Sequence, residues 1–300
     1  MLILITGASG QLGRSIERLV KRDDIGHSFV FVTRKQLDLS SFSNIHSYFK
    51  TQKFDLIINC AAYTSVDKAE HGSEEANIIN HLAVKQVAEI AKSNNIKLIH
   101  ISTDYVFDGL KHQPYSESDT TSPLNIYGKT KLAGENAILS IMKFDAIIIR
   151  TSWLYSEYGN NFVTTILKLA QKNNNLNIVF DQIGTPTYAA DLGQVIVNII
   201  KSEKFIEAKQ ESQIYHYSNE GSCNWYDFAR EIVNISGAKC IINPIKSKDY
   251  PTAAKRPKYA LLSKKKISKE FNLNINSWQD SLKYCMKNLS TVSLLNKEKS

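Results

Sequence analysis

Residues 2–13 read Leu-Ile-Leu-Ile-Thr-Gly-Ala-Ser-Gly-Gln-Leu-Gly, an apolar run followed by three closely spaced glycines. The run at Leu2–Thr6 predicts a buried strand, and the glycines lead directly into a helix predicted at residues 11–21. In such a turn, glycine permits a tight bend and a close approach of the backbone to a pyrophosphate, which the helix N-terminus stabilises. The stretch therefore predicts a dinucleotide-binding α/β fold.

After this stretch, short apolar runs alternate with helical patterns as far as residue 180. Strands are predicted at residues 29–33, 55–60, 97–102, 146–150 and 177–180, and helices at residues 73–92, 125–141 and 161–172. This alternation is typical of a doubly wound parallel sheet of the Rossmann type, whose ligands bind beyond the carboxyl ends of the strands.

The regular alternation of short apolar runs and helical patterns ends at about residue 180. The predicted elements there are helices at residues 189–200 and 225–235 and a strand at residues 214–217. We therefore predict a dinucleotide-binding domain that carries the catalytic residues at residues 1–180. A smaller substrate lobe, interleaved with it, is predicted at residues 181–300, with a frayed end from about Thr291.

The composition is that of a soluble globular protein. Of 300 residues, 43% are hydrophobic and 22% charged, which excludes a disordered or low-complexity chain. No apolar run reaches the ~18 residues of a membrane helix, and no basic region precedes the apolar start, so we expect a cytoplasmic protein without membrane insertion. The cysteines, Cys60, Cys223, Cys240 and Cys285, lack CxxC spacing and nearby histidines, so we expect buried, reduced thiols and no zinc site.

The net charge of +8 is concentrated near the end of the sequence. Residues 239–300 contain fourteen lysines and arginines against four acidic residues. Interleaved aromatic residues and a recognisable nucleic-acid-binding module are both missing from this segment, so we expect no nucleic-acid partner. We interpret this basic segment as a solvated tail or as a positively charged surface beside an anionic substrate.

Residues that follow the first three predicted strands form the predicted cofactor site. They are Gly7, Gly10, Gln11, Leu12 and Gly13 after the first strand, Arg34, Asp38 and Leu39 after the second, and Ala61, Ala62 and Tyr63 after the third. An NAD-selective site usually has an acid at the end of the second strand. Arg34 stands there instead and suits a 2′-phosphate, so NADPH is the predicted cofactor and NADH the alternative. The competing interpretation of Arg34 is a solvated charge. Asp38 is expected under the adenine, and small residues such as Ala61 let the ribose lie against the backbone.

Tyr127 and Lys131 form a YxxxK pattern on a predicted helix. Residues i and i+4 share one helix face, so the phenol and the ammonium point into one cleft, where the cation lowers a phenol pKa of ~10. In a lysine-rich chain the pattern also arises by chance, and Lys131 could instead pair with Glu135. The position of the YxxxK pattern favours a catalytic role, because its helix follows the fourth predicted strand, which ends near Thr103. The Thr103 hydroxyl would hold a substrate carbonyl at the same edge of the sheet.

Several motifs in combination resemble one known family. They are the GxxGxxG turn, AAYTSVDKAE at residues 61–70, STDYVFDG at 102–109, PLNIYGKTKLAGE at 123–135, RTSWLY at 150–155, DQIGTPT at 181–187 and Arg256-Pro257. Together they resemble the dTDP-4-dehydrorhamnose reductase family of the extended short-chain dehydrogenase/reductase superfamily. The resemblance runs from residue 3 to about residue 260.

The resemblance implies a reduction of the C4 ketone of dTDP-4-dehydro-6-deoxy-L-mannose to dTDP-L-rhamnose, used for bacterial surface polysaccharide. It implies that Tyr127 is the proton donor and that Lys131 is its activator and a ribose ligand. Thr103 would hold the C4 carbonyl with Asp104 beside it, and Trp153 would pack against the deoxysugar, unless it is an ordinary core tryptophan.

Arg256 is the remaining candidate substrate residue. Pro257 disfavours helix at Arg256 and holds it extended, and arginine suits bidentate contact with a diphosphate. The alternative is that Arg256 is one more solvated cation.

Oligomeric state and the exact reaction stay open at this point. Some members of the family dimerise around a magnesium ion held by glutamates; those acids have no match here, so a homodimer is compatible with the sequence and no metal is expected. The alternatives are another nucleotide-sugar 4-keto reductase or epimerase, or a regulatory protein resembling the beta subunit of methionine adenosyltransferase.

Overall fold

The computed structural model describes residues 1–207 and 210–297. Its strands, in chain order, are β1 (Leu2–Thr6), β2 (Ser28–Val32), β3 (Leu56–Asn59), β4 (Lys97–Thr103), β5 (Ala146–Thr151), β6 (Leu154–Tyr155), β7 (Asn175–Val179), β8 (Ile183–Gly184), β9 (Thr187–Tyr188), β10 (Gln213–His216), β11 (Cys223–Asn224) and β12 (Ile241–Ile245). Its helices are α1 (Gln11–Arg22), α2 (Phe42–Thr51), α3 (Val66–Ala69), α4 (Ser73–Asn77), α5 (Ala83–Ser93), α6 (Ile126–Ile141), α7 (Phe162–Ala170), α8 (Ala189–Lys201), α9 (Glu203–Glu207), α10 (Trp225–Ser236), α11 (Lys265–Phe271) and α12 (Trp278–Lys297).

The central sheet has the strand order β10–β5–β4–β3–β1–β2, and all neighbouring strands run parallel. Strands such as β3 (Leu-Ile-Ile-Asn) and β5 (Ala-Ile-Ile-Ile-Arg-Thr) are buried along their whole length, as expected when helices cover both faces of a sheet. After β2 the chain crosses to the other side of β1, which creates a topological switch point where ligands bind. The doubly wound parallel sheet is confirmed.

Helices cover both faces of this sheet. On one face, α5 and α6 contribute Val87 and Ile138 to an apolar core. On the other, α1 packs against α8, and Ile16 and Ile196 lie in a second core. Because the faces are covered, the region open to a ligand lies at the carboxyl ends of the strands.

A strand is present where the sixth strand was predicted, but it lies outside the central sheet. Residues 177–180 fall largely in β7, which pairs with β12 outside the central sheet. The sixth position is taken by β10, from the predicted substrate lobe, which pairs in parallel with β5. A short apolar run predicts a strand but does not indicate with which strand it pairs.

The two predicted lobes are interleaved along the chain. Helix α8 and strand β10 belong to the central sheet and its covering layer. In contrast, α7, α10 and α12 share a separate apolar core that includes Val163, Ile232 and Leu282. Residues on both sides of position 180 therefore build each part.

The helix predicted at residues 73–92 is present as α4, one π-helical turn and α5. The turn, Ile78–Leu82, contains the buried Asn80. Its side chain accepts a hydrogen bond from Tyr63 N at 2.9 Å and donates one to Tyr63 O at 3.0 Å. The π turn thus directs an amide toward the loop that follows β3.

The end of the chain also differs from expectation. The frayed end predicted from about Thr291 is a continuation of α12 as far as Lys297. Residues 298–300 lie outside the described residues.

Candidate active site

A cavity of about 720 Å³ lies at the carboxyl ends of the central strands. The predicted site residues that line it are Gly7, Gly10, Gln11, Leu12, Arg34, Asp38, Leu39, Ala61, Ala62, Thr103, Asp104, Tyr127, Lys131 and Trp153. The predicted residues outside its lining are Gly13, Tyr63 and Arg256. The fold therefore brings the glycine turn and the YxxxK pair into one cleft.

The glycine turn has the geometry of a phosphate-binding turn. Gly7 has a φ of 66°, and a Cβ there would lie 2.8 Å from Ala61 N. A Cβ at Gly13 would lie 2.7 Å from Ala8 Cα, so Gly13 serves close packing of helix against strand and does not face the cavity. Helix α1 begins after Gly10 without a side-chain cap, so backbone N–H groups of its first turn are available to an anion.

Arg34 and Asp38 lie beside each other beyond the end of β2. Arg34 Nε is 3.3 Å from Asp38 Oδ1, and the arginine side chain is 66% exposed. Ser40 donates to Asp38 Oδ1 from its N–H at 2.9 Å and from its hydroxyl at 2.7 Å, and these bonds, that of the N–H above all, hold the pKa of Asp38 below its usual value. An exposed guanidinium at the cavity rim suits a ligand phosphate.

The loop after β3 is held through its backbone. Ala61 N donates to Thr6 Oγ1 at 3.3 Å, close to the glycine turn. Both backbone groups of Tyr63 are bound by Asn80, which explains why Tyr63 anchors this loop without lining the cavity.

Helix α6 begins with a cap that fixes the position of Tyr127. Asn125 precedes the helix and its Oδ1 accepts from Gly128 N at 2.8 Å. A Cβ at Gly128 would clash with the carbonyl oxygen of Tyr105, so the helix packs directly on the 3-10 turn after β4. The ring of Tyr127 meets that of Tyr105 edge-on, with centroids 5.7 Å apart.

Burial raises the pKa of Tyr127 to about 12, and its hydrogen bond with Thr103 opposes this rise. The predicted lowering of this pKa by Lys131 is therefore not found. The physical reason is that loss of solvation disfavours the phenolate, while the ammonium is engaged elsewhere. The phenol keeps its proton at neutral pH, as a proton donor requires.

Lys131 is almost fully buried, and its ammonium contacts strand β4. Its Nζ donates to Ile101 O at 2.6 Å and lies 3.2 Å from His100 Nε2. Burial lowers the pKa of Lys131 to about 8. The alternative ion pair with Glu135 does not form, because Arg150 binds that carboxylate, with Nη2 2.6 Å from Oε2.

Thr103 and Asp104 form a hydrogen-bonded pair at the end of β4. Thr103 Oγ1 accepts from Tyr105 N at 3.2 Å and donates to Asp104 Oδ1 at 3.0 Å. Asp104 is buried, and its Oδ2 has no hydrogen-bond partner among the described residues. Burial raises the pKa of Asp104 to about 7, so this carboxyl can donate or accept a hydrogen bond near neutral pH.

Two stacked indoles form a wall of the cavity. Trp153 has a φ of 47°, a left-handed conformation that is strained for a bulky residue. Its ring stacks on Trp225, with centroids 3.6 Å apart and planes 14° apart, and Trp225 Nε1 donates to Gln182 Oε1 at 3.2 Å. Trp153 is thus a wall residue, and Trp225, which was not predicted, is its partner.

Arg256 forms an ion pair outside the cavity lining. Its Nη2 lies 2.6 Å from Asp67 Oδ2, and its Nη1 lies 3.1 Å from Asp67 Oδ1. This pairing was not predictable, because Asp67 lies on α3, far away along the chain. The bond from Arg256 lowers the pKa of Asp67.

Gln11 has a further role that its motif does not reveal. Its Nε2 donates to Leu154 O at 3.3 Å, and its Oε1 accepts from Ser156 Oγ at 3.0 Å and from Asn161 Nδ2 at 2.9 Å. The side chain therefore connects the glycine turn to residues 154–161.

Other lining residues were not predicted. They include Ser9, Leu37, Cys60, Thr64, Val66, Ile79, Ile101, Ser102, Tyr105, Thr151, Ser152, Leu154, Gly159, Asn160, Asn161 and Trp225. The rule that ligands bind at strand ends could have indicated Thr151 and Ser152, which end and follow β5. The loop Gly159–Asn161 carries no comparable signal.

Two further features concern metals and membranes. Within residues 1–207 and 210–297, no group of three or more His, Cys, Asp or Glu side chains is placed to hold a metal ion. The helices of this same part of the chain are all too short or too polar to cross a membrane. The four cysteines are free thiols.

Known proteins with similar sequences and structures share this architecture. The chain is 41% identical over 288 residues to the dTDP-4-dehydrorhamnose reductase of Aggregatibacter actinomycetemcomitans, covering 94% of this chain and 97% of that protein. It is 36% identical to a dTDP-4-keto-6-deoxy-D-glucose reductase of Streptomyces niveus, covering 86% and 87%. A crystal structure of dTDP-4-dehydrorhamnose reductase from Bacillus anthracis in complex with NADP matches with a TM-score of 0.89 at 35% identity, covering 96% and 99%.

The family described as RmlD substrate binding domain matches residues 1–291, almost the whole chain. This match covers the glycine turn, the Tyr127–Lys131 pair and the tryptophan wall together. The chain therefore belongs to the family of the dTDP-4-dehydrorhamnose reductases.

Proposed function

We propose that the protein reduces the C4 ketone of dTDP-4-dehydro-6-deoxy-L-mannose to dTDP-L-rhamnose, with NADPH as the preferred hydride donor. The product would supply rhamnose for a bacterial surface polysaccharide. The observation that carries this proposal is that Thr103, Tyr127 and Lys131 line one cavity with the glycine turn. They do so in a chain that matches dTDP-4-dehydrorhamnose reductases over almost its full length.

Tyr127 is the proton donor in this reaction. Its phenol is protonated at neutral pH, so a proton is ready when negative charge develops on the C4 oxygen of the sugar. The Thr103 hydroxyl, which is hydrogen-bonded to Tyr127, would orient that oxygen. Lys131, whose ammonium is anchored to β4, would act as a ligand of the cofactor ribose.

The residues at the strand ends fit a dinucleotide. A Cβ at Gly7 would collide with the backbone of Ala61, so glycine allows the turn to lie this close to the loop after β3, and the uncapped N-terminus of α1 offers N–H groups to a pyrophosphate. Arg34 is available to a 2′-phosphate, which favours NADPH over NADH. When bound, the cofactor supplies the hydride.

The sugar nucleotide would occupy the part of the cavity lined by Asp104 and Trp153. The unpartnered Asp104 Oδ2 suits a sugar hydroxyl, and the indole suits an apolar sugar face. The phosphates of the sugar nucleotide would lie toward Arg256, which is ion-paired with Asp67.

A coupled assay tests the proposed function. The purified protein is offered enzymatically generated dTDP-4-dehydro-6-deoxy-L-mannose, and NADPH absorbance is followed while the nucleotide sugar formed is identified. Substrate-dependent oxidation of NADPH with formation of dTDP-L-rhamnose supports the proposal. Absence of turnover in a folded preparation that binds NADPH contradicts it.

The similarity to the Streptomyces niveus enzyme favours one alternative, a reductase for the D-configured 4-keto sugar. This sugar and the first substrate are epimers at C3 and C5. Offering both epimers to the protein separates the two functions, because the preferred substrate has the higher kcat/KM.

A cytoplasmic location and a homodimeric state are retained as predictions. Cell fractionation tests the first, and light scattering of the purified protein tests the second.

A further inference from the structure

A chain of buried polar side chains lies behind the cavity. Thr6 Oγ1 donates to Asn59 Oδ1 at 2.6 Å, Asn59 Nδ2 is 3.1 Å from His100 Nδ1, and His100 Nε2 is 3.2 Å from Lys131 Nζ. Each of the four residues is at most 2% exposed. The chain runs from β1, next to the glycine turn, across β3 and β4 to helix α6.

The direction of the bond between His100 and Lys131 follows from their chemistry. Full burial, together with the nearby charge of Lys131, lowers the pKa of His100 well below its usual value, so the ring is neutral. An ammonium has only protons to give, so His100 Nε2 is the acceptor and Nδ1 carries the ring proton. This tautomer requires the side-chain amide of Asn59 to turn by half a rotation, which exchanges the positions of its Oδ1 and Nδ2. Oδ1 then accepts from His100 Nδ1, and Nδ2 donates to Thr6 Oγ1, because the Thr6 hydroxyl can donate or accept.

This bond and the bond to Ile101 O anchor the Lys131 ammonium to β4. Lys131 nevertheless lines the cavity together with Tyr127. An ammonium held by two fixed acceptors is restricted in position, whereas a free lysine has four rotatable bonds and is poorly positioned.

Other ionisable groups around Lys131 come from several elements. Cys60 follows β3, and its thiol is protonated because burial raises its pKa to about 12. Glu135, on the same helix, raises the pKa of Lys131 but is itself bound by Arg150 of β5. Tyr127 on α6 and Asp104 after β4 share the cavity with the ammonium.

We propose that His100 is a positioning residue for Lys131. As a neutral acceptor, it holds the lysine ammonium in place behind Tyr127 and stabilises its charged form, and Asn59 and Thr6 hold the imidazole in turn. This inference rests on the proposed reductase function for its kinetic consequences, and on the structure alone for the state of Lys131.

Two isomeric amide substitutions test the proposal. His100→Gln places an amide group near the former Nε2 and can still accept from Lys131. His100→Asn places its amide near the former Nδ1 and reaches only toward Asn59. Both replace the imidazole with a neutral polar group, so both carry a similar cost in stability.

We expect the pH profile of kcat/KM to separate the variants. Losing an acceptor disfavours the charged form of Lys131 and lowers its pKa, so the alkaline limb of His100→Asn moves to lower pH by about one unit. His100→Gln should keep the wild-type limb. His216→Gln is the matched control: His216 is also fully buried, but it contacts Tyr115 O and Arg150, so its replacement should leave the limb unchanged.

The pH dependence of the NADPH dissociation constant is measured on the same proteins. It needs no sugar substrate, so it reports on Lys131 even if the proposed reaction is wrong. The proposal is supported if His100→Asn shifts this dependence to lower pH and His100→Gln does not. Equal pH profiles for the two variants, whether both shifted or both unshifted, would overturn it and leave His100 a structural residue.

Discussion

Burial changes the two residues of the YxxxK pair in opposite senses. Removing water raises the pKa of Tyr127 to about 12 and lowers that of Lys131 to about 8, because in each case the neutral form is favoured. The phenol therefore keeps its proton at neutral pH, as the proposed proton donor requires. The lysine, in contrast, is charged at neutral pH but loses its charge within the range of an ordinary pH profile.

Replacement of Tyr127 by phenylalanine tests the proton donor. Ring packing against Tyr105 survives, so NADPH affinity should be nearly unchanged, whereas kcat should fall by ~10² to 10⁴-fold. Stopped-flow turnover at saturating substrate and fluorescence titration with NADPH measure the two quantities. A variant that retains more than about a third of wild-type kcat, with chemistry rate-limiting, would exclude Tyr127 as the acid.

Arg34→Ala tests the preference for NADPH. Because Arg34 is exposed and only NADPH offers it a 2′-phosphate, NADPH binding should weaken by about tenfold and NADH binding much less. The difference should shrink at high salt, which screens exposed charges. Equal losses for both cofactors, measured by titration, would make Arg34 a solvated charge.

Arg256→Ala tests the phosphate contact at the edge of the substrate site. We expect a several-fold rise in KM for the sugar nucleotide and little change for NADPH. Lys265→Ala is the control, because this lysine is exposed, whereas Lys264 is buried and Lys266 bonds to Ile214 O. If Asp67→Asn raises the same KM as much as Arg256→Ala does, the ion pair orders α3 and Arg256 needs no contact with substrate.

Among the secondary-structure elements, most of the strands and the helix that carries Tyr127 were predicted from the local pattern of apolar residues. A run such as the one in β5 predicts a strand by itself, because β-branched residues buried on both faces suit a parallel strand. Pairing partners were not predictable. The pairing of β7 with β12, for example, joins residues that are far apart in sequence.

The Glu135–Arg150 ion pair joins α6 to β5, and Glu135 therefore forms no ion pair with Lys131. Both side chains are at most 3% exposed, so Glu135→Gln leaves the arginine charge buried without a carboxylate and should lower the free energy of unfolding by about 3–5 kcal/mol. Urea denaturation measures this loss. Glu17→Gln, which breaks the exposed pair with Lys21, should cost less than about 1 kcal/mol. A similar cost for both variants would contradict the importance of the buried pair.

At the scale of the whole molecule, two apolar cores flank one sheet and a third core lies beside them. The cavity takes residues from the glycine turn near the start of the chain and Trp225 near its last quarter. Most of the candidate catalytic and cofactor residues that line the cavity were predictable because they follow strands. Trp225 and the loop at Gly159–Asn161 were not predicted, because tertiary packing alone brings them to the cavity.

A fragment of residues 1–180 should not fold as an independent domain. It lacks α8, whose Leu192, Ile196 and Ile199 cover one face of the sheet, and β10, which pairs with β5. Exposure of that face and of an unpaired strand edge favours aggregation. We expect no cooperative thermal transition by circular dichroism for the fragment, and a single cooperative transition for residues 1–300. A cooperative transition in the fragment would support a domain boundary at residue 180.

The place of β10 in the sheet also bears on how the protein is made. Translation delivers the glycine turn first and the YxxxK helix well before the strand that closes the sheet beside β5. While residues up to 180 are emerging from the ribosome, the edge of β5 and the surface later covered by α8 have no permanent partner. Nascent chains paused at that stage are therefore candidates for chaperone binding, and synthesis must pass residue 216 before the nucleotide cleft rests on a complete sheet.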